Sequence, residues 1–156
     1  MTTLLALDIG GTKVGWGIVE AGDTYEVTER GSIPTDAMRG GADVAARICE
    51  LASSLVASHP SVSGVAVASA GVVNPSTGDI VSATGTMPGW GGTALGALLQ
   101  EATGLKVRVL NDVHAHGLGE ATLGAGQPYR SVLSIAVGTG IGGALVEDRQ
   151  VSFGSR

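Results

Sequence analysis

One pattern occurs twice in this chain, once towards each end. A short apolar run leads into a Gly/Thr turn, then a second glycine-containing run, an acidic turn and the start of a third run. The first copy spans Leu4 to Glu20 (LLALDIGGTKVGWGIVE), with Thr24 to Ile33 as its third run; the second spans Val132 to Phe153 (VLSIAVGTGIGGALVEDRQVSF). Short apolar segments that alternate in size and are split by a tight glycine turn predict antiparallel hairpins. A duplicated hairpin is a strong constraint, because it predicts two related lobes with a ligand held between their turns. On this reading the second lobe is only begun, with its helices lacking.

The first turn carries Asp8, Gly10, Gly11, Thr12 and Lys13. Glycines there can take positive φ and let the backbone approach a ligand, and successive N–H groups in such a turn make an anion-binding nest. An acid beside a phosphate nest repels the phosphate unless a divalent cation lies between them, which implies Mg²⁺. An ordinary hairpin turn is the alternative for this motif alone. The second turn, GTGIGG (Gly138 to Gly143), matches the dinucleotide fingerprint G-x-G-x-x-G. That fingerprint must open a helix, whereas the following Ala144-Leu145-Val146 has the pattern of a strand.

Between the hairpins the chain alternates helix and strand. Val44, Ile48, Leu51 and Leu55 recur at helical spacing within Gly40 to His59, and His59-Pro60 supplies a stop. Val62 to Ala68 is then a buried strand, parallel to the first because it follows a crossover helix. Ser69 to Trp90 holds too many turn residues for a helix and is predicted to be a loop with a small hairpin, Val72-Val73 against Ile80-Val81, turning at Asn74 to Asp79. Such a loop at the carboxyl end of a parallel strand is where open α/β sheets place ligands. Thr93 to Thr103 is a second helix, with Leu95, Leu98, Leu99 and Ala102 as its apolar stripe, Thr93 as N-cap and Gly104 as C-cap. Lys106 to Leu110 is a strand, Asp112 to Leu123 a third helix, and Ser131 to Val137 a further strand.

Composition narrows the function classes. The net charge is −5 and the pI about 5.0, and the basic residues are scattered, which argues against a nucleic-acid or anionic-membrane surface. With 26 glycines and few aromatics, the core must be Ala, Val, Leu and Ile packed at close range. Cys49 is the only cysteine and cannot form an intramolecular disulfide, in keeping with a cytoplasmic location. The start, MTTLLALDIGG, lacks the basic region and cleavage site of a signal peptide, and the longest apolar-looking run, Ser131 to Val146, is interrupted by glycines and too short to span a bilayer.

Five motifs occur in order: DIGGTK (Asp8 to Lys13), SAGVVNPSTGDI (Ser69 to Ile80), PGW (Pro88 to Trp90), LND (Leu110 to Asp112) and GTGIGG (Gly138 to Gly143). Together they resemble the ROK family of sugar kinases and sugar-responsive repressors, and the resemblance covers essentially all 156 residues. It implies an α/β fold of the actin-like, ribonuclease-H-like ATPase class, with a mixed five-stranded sheet, helices and a partial repeat of a second lobe. The corresponding domains are residues 1–128, an N-terminal lobe, and 129–156, the first hairpin of a truncated second lobe.

By this resemblance Asp8 binds Mg²⁺, directly or through water. Gly10, Gly11, Thr12 and Lys13 face the phosphates of ATP, and Thr139 and Gly140 form the opposite phosphate turn. Gly71, Val72 and Thr84 match positions near the sugar, Asn111 hydrogen-bonds a sugar hydroxyl, and Asp112 is similar to the family's general base. The chemistry of the dipeptide agrees: a carboxylate can accept the proton of a sugar hydroxyl as its bond to phosphorus forms, and an amide offers both a donor and an acceptor to hydroxyls. Capping of the following helix is the structural alternative for Asn111-Asp112, and one residue can do both.

The chain departs from the family pattern in places. It has NDVHA where the family often has NDANA, so that His114 replaces an amide, and Thr86 stands where Asn often precedes the PGW stretch. His114 and His116, two apart on a helix, point to different faces and make a poor metal pair. The family's His/Cys zinc motif and its Glu/His sugar-binding pair have no counterpart here, so no structural zinc is expected. The expected activity is therefore ATP-dependent phosphorylation of a hexose, glucokinase-like, incomplete in this length of chain. The alternatives are a non-catalytic sugar-binding or regulatory ROK protein, for which the hairpin starting at residue 4 leaves no room for a preceding helix-turn-helix, and a remnant lobe that pairs as a homodimer through its last hairpin.

Overall fold

The computed structural model describes residues 1–138 and 140–153. It divides into two compact units, Met1–Leu110 and Asn111–Arg156.

The first unit is built on a five-stranded sheet. Its strands are β1 (Thr2–Ile9), β2 (Lys13–Ala21), β3 (Tyr25–Pro34), β4 (Val62–Ser69) and, after the short β5 (Val72–Val73) and β6 (Ile80–Ser82), β7 (Lys106–Asn111); their order is β3-β2-β1-β4-β7. β1 pairs with β2, and β2 with β3, antiparallel, whereas β1 pairs with β4 parallel, so the sheet is mixed as expected. Register explains the core. Leu5, Leu7 and Ile9 lie opposite Ile18, Trp16 and Val14 on one side and Val65, Val67 and Ser69 on the other, and the two-residue period of a strand turns all of them to the same face. Helix α1 (Gly41–Ser58) buries Val44, Ala45, Ile48 and Ala52 in that cluster, and α2 (Leu95–Thr103) adds Leu95 and Leu99. Each fully buried Leu or Ile there contributes about 1.5–3 kcal/mol.

α1 stops at His59 as expected, with the His59 amide donating to the carbonyl of Leu55 at 3.0 Å. Gly104 closes α2 at φ 69°, the left-handed conformation glycine favours. Two details of α2 differ from expectation. Its N-cap is Ala94 with no side-chain cap, and Thr93 lies one residue outside the cap position, its carbonyl accepting the amide of Ile80 at 2.9 Å, which ties the loop to β6. Leu98 lies on an exposed side of the helix and Ala102 is half-buried, so only Leu95 and Leu99 form the deep stripe. A 3-10 turn at Ala37–Arg39, which no periodicity announces, leads into α1.

Glycine pairs set two close approaches. A Cβ on Gly96 would meet the carbonyl oxygen of Thr77 at 2.5 Å, so the Asn74–Asp79 turn sits directly on the first turn of α2. A Cβ on Gly41 would collide with the carbonyl of Gly89, so the PGW segment lies against the start of α1, where the Gly41 amide donates to Pro88 at 2.8 Å.

The second unit contains α3 (Asp112–Leu123) and an antiparallel meander of β8 (Ser131–Val137), β9 (Ile141–Glu147) and β10 (Gln150–Ser152). One face of the meander packs on α3: Ala144 and Val146 are buried, and a Cβ on Gly117 of the helix would reach Ala144 at 2.7 Å. The β9–β10 turn is Asp148-Arg149, both residues at positive φ, the hand that two-residue hairpin loops require. That conformation is strained for Arg149, whose guanidinium donates to the carbonyl of Gln127 at 2.9 Å, and Asp148 accepts two hydrogen bonds from Arg130.

Candidate active site

In the first unit the residues singled out by sequence gather at the carboxyl ends of β1 and β4. The β1–β2 turn is closed by the Gly10 amide donating to Lys13 at 3.1 Å. Thr35, wholly buried just after β3, holds it from beneath. Its amide donates to the carbonyl of Thr12 at 3.0 Å and its hydroxyl to the carbonyl of Gly10 at 2.6 Å. Arg47 of α1 anchors Thr35 in turn, donating to the carbonyls of Pro34 at 3.0 Å and of Thr35, and to Asp43 at 2.8 Å. The hydrogen bond from Arg47 holds the Asp43 carboxyl below the usual carboxylate range.

Neither Gly10 nor Gly11 adopts positive φ, which corrects the reason given for them above. A Cβ on Gly11 would stand in ordinary contact with Thr86 and Met87 at 3.8 Å, so the turn lies against the Thr84–Met87 segment but space does not demand glycine there. Asp8 and Lys13 are exposed, and neither side chain makes a hydrogen bond or ion pair within the described residues. Asp8 points away from the core, opposite Gly15, whose missing side chain leaves the carboxylate uncovered.

The β4–β5 corner completes this cluster. The amide of Ala70 donates to Ile9 at 2.9 Å, fastening the corner beside the turn. Gly71 has φ 98°, and a Cβ there would come within 2.7 Å of the carbonyl of Ser82, so this position demands glycine. Val72 and Thr84 are exposed nearby, and the Thr84 hydroxyl bonds that of Thr86 at 2.7 Å. Trp90 of the PGW motif is buried completely and donates its indole N–H to Ser69 at 3.2 Å, so its role is to position the corner.

In the second unit Asn111 and Asp112 open α3. The Asn111 side-chain oxygen accepts the amides of Val113 at 3.0 Å and His114 at 3.2 Å, so the capping alternative is realised. Its amide group also donates to Oδ1 of Asp112 at 3.0 Å, and that oxygen accepts the Val113 amide at 2.9 Å. Oδ2 of Asp112 accepts no hydrogen bond among the described residues. One oxygen is thus held and the other is left open, the arrangement of a carboxylate available to a hydroxyl proton. His114 packs edge-on against Phe153, ring centroids 5.5 Å apart, while His116 is exposed. Gly140 is exposed in the second turn, closed by the Gly138 amide on the Gly140 carbonyl at 2.8 Å; Thr139 lies outside the described residues. Among the described residues no three His, Cys, Asp or Glu gather as a metal-binding group, and no helix is long and apolar enough to cross a membrane.

Sequence reasoning missed Thr35, Ser69 and Arg47. Each holds a backbone loop through a partner remote in sequence, a role that leaves no local pattern.

A mixed β3-β2-β1-β4-β7 sheet, with a glycine turn after its first strand and a partial repeat of that hairpin, is the actin-like, ribonuclease-H-like ATPase fold. The chain belongs to the ROK family, which it matches over residues 4–156. It is 32% identical to a beta-glucoside kinase of Listeria monocytogenes over 153 residues, 98% of this chain and 49% of that protein. Among solved structures it resembles a ROK hexokinase from Thermus thermophilus, with a TM-score of 0.84 at 30% identity, over 99% of this chain and 50% of that one. It also resembles a ROK family glucokinase from Streptomyces griseus in complex with glucose and AMPPNP, with a TM-score of 0.83 at 27% identity, over 98% of this chain and 47% of that one. The chain thus spans about half the length of the relatives it matches.

Proposed function

We propose that this chain supplies the N-terminal lobe, residues 1–128, and the opening hairpin of the second lobe, 129–156, of an ATP-dependent sugar kinase that phosphorylates a hexose hydroxyl. The observation that carries this reading is the Asp112 carboxylate, with Oδ1 held by Asn111 and the Val113 amide and Oδ2 without a partner among the described residues. The family and its sugar-kinase relatives support it.

In this reading the sugar hydroxyl gives its proton to Oδ2 of Asp112 as its oxygen bonds to the γ-phosphorus. The bond from that phosphorus to the β–γ bridging oxygen breaks, and ADP leaves. By the family resemblance, Gly71, Val72 and Thr84 of the first unit and Asn111 of the second are assigned to the sugar. The turn residues Gly10, Gly11, Thr12 and Lys13 are assigned to the phosphates, as are Gly140 and Thr139, the latter outside the described residues. Asp8 is a single uncovered carboxylate, which fits a Mg²⁺ ion that keeps most of its waters; bound there, the ion would neutralise phosphate charge. Because phosphoryl transfer has a loose transition state, most of the rate comes from positioning and charge neutralisation, and the base adds roughly 10²–10⁴-fold.

The test is to titrate the chain with MgATP and with a panel of hexoses, following heat, and to follow hexose-dependent ADP release. Weak heats and slow release are expected, with release lost in Asp112→Asn and the MgATP heat unchanged. Failure to bind either ligand, or release that survives Asp112→Asn, would overturn the proposal.

A further inference from the structure

A cavity of about 210 Å³ opens at one edge of the five-stranded sheet, where the Asn74–Asp79 turn and α2 meet the outer strand β7. Its walls are held by backbone packing. Gly78 sits at φ 78°, and a Cβ there would meet Val109 at 2.9 Å and the Cα of Gly96 at 3.1 Å. The Gly96 amide donates to the carbonyl of Gly78 at 3.2 Å, and the turn is closed by the amide of Gly78 donating to Asn74 at 2.8 Å and that of Asn74 donating to Asp79 at 2.9 Å. None of the residues assigned above to the sugar or to the phosphates of ATP lines this cavity.

Its polar lining is made of donors. Arg108 is the one charged residue there, and no carboxylate lines the cavity. Arg39, Arg47 and Arg130 are each paired with an aspartate, whereas the Arg108 side chain makes no ion pair or hydrogen bond among the described residues. Gln100 adds an amide and Ser76 a hydroxyl, both side chains likewise without a partner among the described residues. The Thr77 hydroxyl accepts the Asp79 amide at 3.3 Å and keeps its proton to donate. A guanidinium flanked by hydroxyl and amide donors suits a tetrahedral oxyanion, because its planar fork takes two oxygens at once and the other donors take the rest. Size agrees with this, since the cavity is smaller than the roughly 300–1,000 Å³ of pockets that enclose drug-sized ligands. It admits a single small group. We propose that this cavity binds a phosphate group, presented by inorganic phosphate or by a phosphate ester. It shares no residue with the β1–β2 turn, and its occupancy is read without ATP or hexose.

The experiment follows the backbone amide and arginine side-chain resonances of the full chain during titration with sodium phosphate at constant ionic strength. Saturable shifts are expected at Ser76, Thr77, Gly78 and the Nε–H of Arg108, and none when sodium chloride replaces phosphate. Arg108→Gln should weaken binding on the order of tenfold, the worth of a hydrogen bond to a charged group. Arg30→Gln makes the same charge change at an exposed position on β3 and should leave binding unaltered. Ala97→Leu places a bulkier apolar side chain at an exposed lining position of α2. Leucine is a good helix former, so the fold should persist while the shifts are lost. Glucose 6-phosphate separates the two sources: tighter binding than inorganic phosphate assigns the site to a phosphate ester, and equal or weaker binding assigns it to free phosphate. Four outcomes overturn the proposal: no saturable shift, shifts that sodium chloride reproduces, binding that Arg108→Gln leaves intact, or shifts confined to the amides of Gly10 to Thr12, which would report the β1–β2 turn instead.

Discussion

The hydroxyl of Thr35 donates to the carbonyl oxygen of Gly10 at 2.6 Å across 25 residues of sequence. This bond joins the end of β3 to the turn that carries Gly11, Thr12 and Lys13, and Thr35 is itself wholly buried. The turn is thus held by the fold beneath it and not by its glycines. Thr35→Val keeps the shape and removes the donor, leaving the Gly10 carbonyl without this partner. The expected cost is about 1–3 kcal/mol, read as a lower urea midpoint at unchanged m-value, together with weaker MgATP heat. An unaltered midpoint would count against Thr35 as the support of the turn.

Gly41→Ala tests the contact between α1 and the PGW segment. Its Cβ would run into the carbonyl of Gly89, backbone that cannot rotate aside as a side chain can. Overpacking of this kind costs about 1–3 kcal/mol, so the melting temperature should fall by several degrees. Gly40→Ala is a poor control, because Gly40 sits at φ 95° and is strained by any side chain. Gly119→Ala, with open space around its Cβ position, should leave the melt unchanged or raise it.

Asn111 tests cap and site separately. Asn111→Ala removes the acceptor for the Val113 and His114 amides and should cost about 0.5–2 kcal/mol. Asn111→Ser restores a cap oxygen but not the donor to Asp112. Ser should therefore recover most of the stability and the slow exchange of the first α3 amides, without recovering hexose heat. Recovery of both by Ser would reduce Asn111 to a cap.

His59 links α1 to β3, bonding Glu29 through Nε2 at 2.8 Å and the carbonyl of Leu55 through Nδ1 at 2.8 Å. The Glu29 carboxylate first, and the Leu55 carbonyl second, raise the imidazole above its ordinary value of 6.5. A group that the fold keeps protonated contributes fully below its unfolded pKa, and that contribution fades as pH rises through the higher folded value. Stability from this pair should therefore be present below about pH 6.5 and lost above the folded pKa. Glu29→Gln should flatten this part of the melting profile, and a pH difference that persists in the variant would assign it elsewhere.

Much of this arrangement was legible from the chain. The alternation of Leu5, Leu7 and Ile9, the helical spacing of Val44 and Ile48, the His59-Pro60 stop and Gly104 each identify an element, because local sterics and burial act over a few residues. The α2 cap differs because the helix begins at Leu95, with Thr93 in a loop whose carbonyl accepts the Ile80 amide 13 positions away, a contact local pattern cannot reveal. The turn motif permits positive φ at Gly10 and Gly11, and neither adopts it.

The division follows from range. Sequence by itself determined the duplicated hairpin, the parallel crossover, the ROK resemblance and the candidacy of Asp8 and Asp112, since periodicity, turn chemistry and ordered motifs are written in consecutive residues. Only the tertiary structure decided that Thr35 and Arg47 hold the β1–β2 turn, that Trp90 and Ser69 fasten the β4 corner, and that one oxygen of Asp112 is tied while the other is open among the described residues. It also decided which apolar face is covered: α1 packs on Leu5, Leu7 and Ile9 of the first hairpin, a contact between elements far apart in sequence that the same apolar alternation cannot announce.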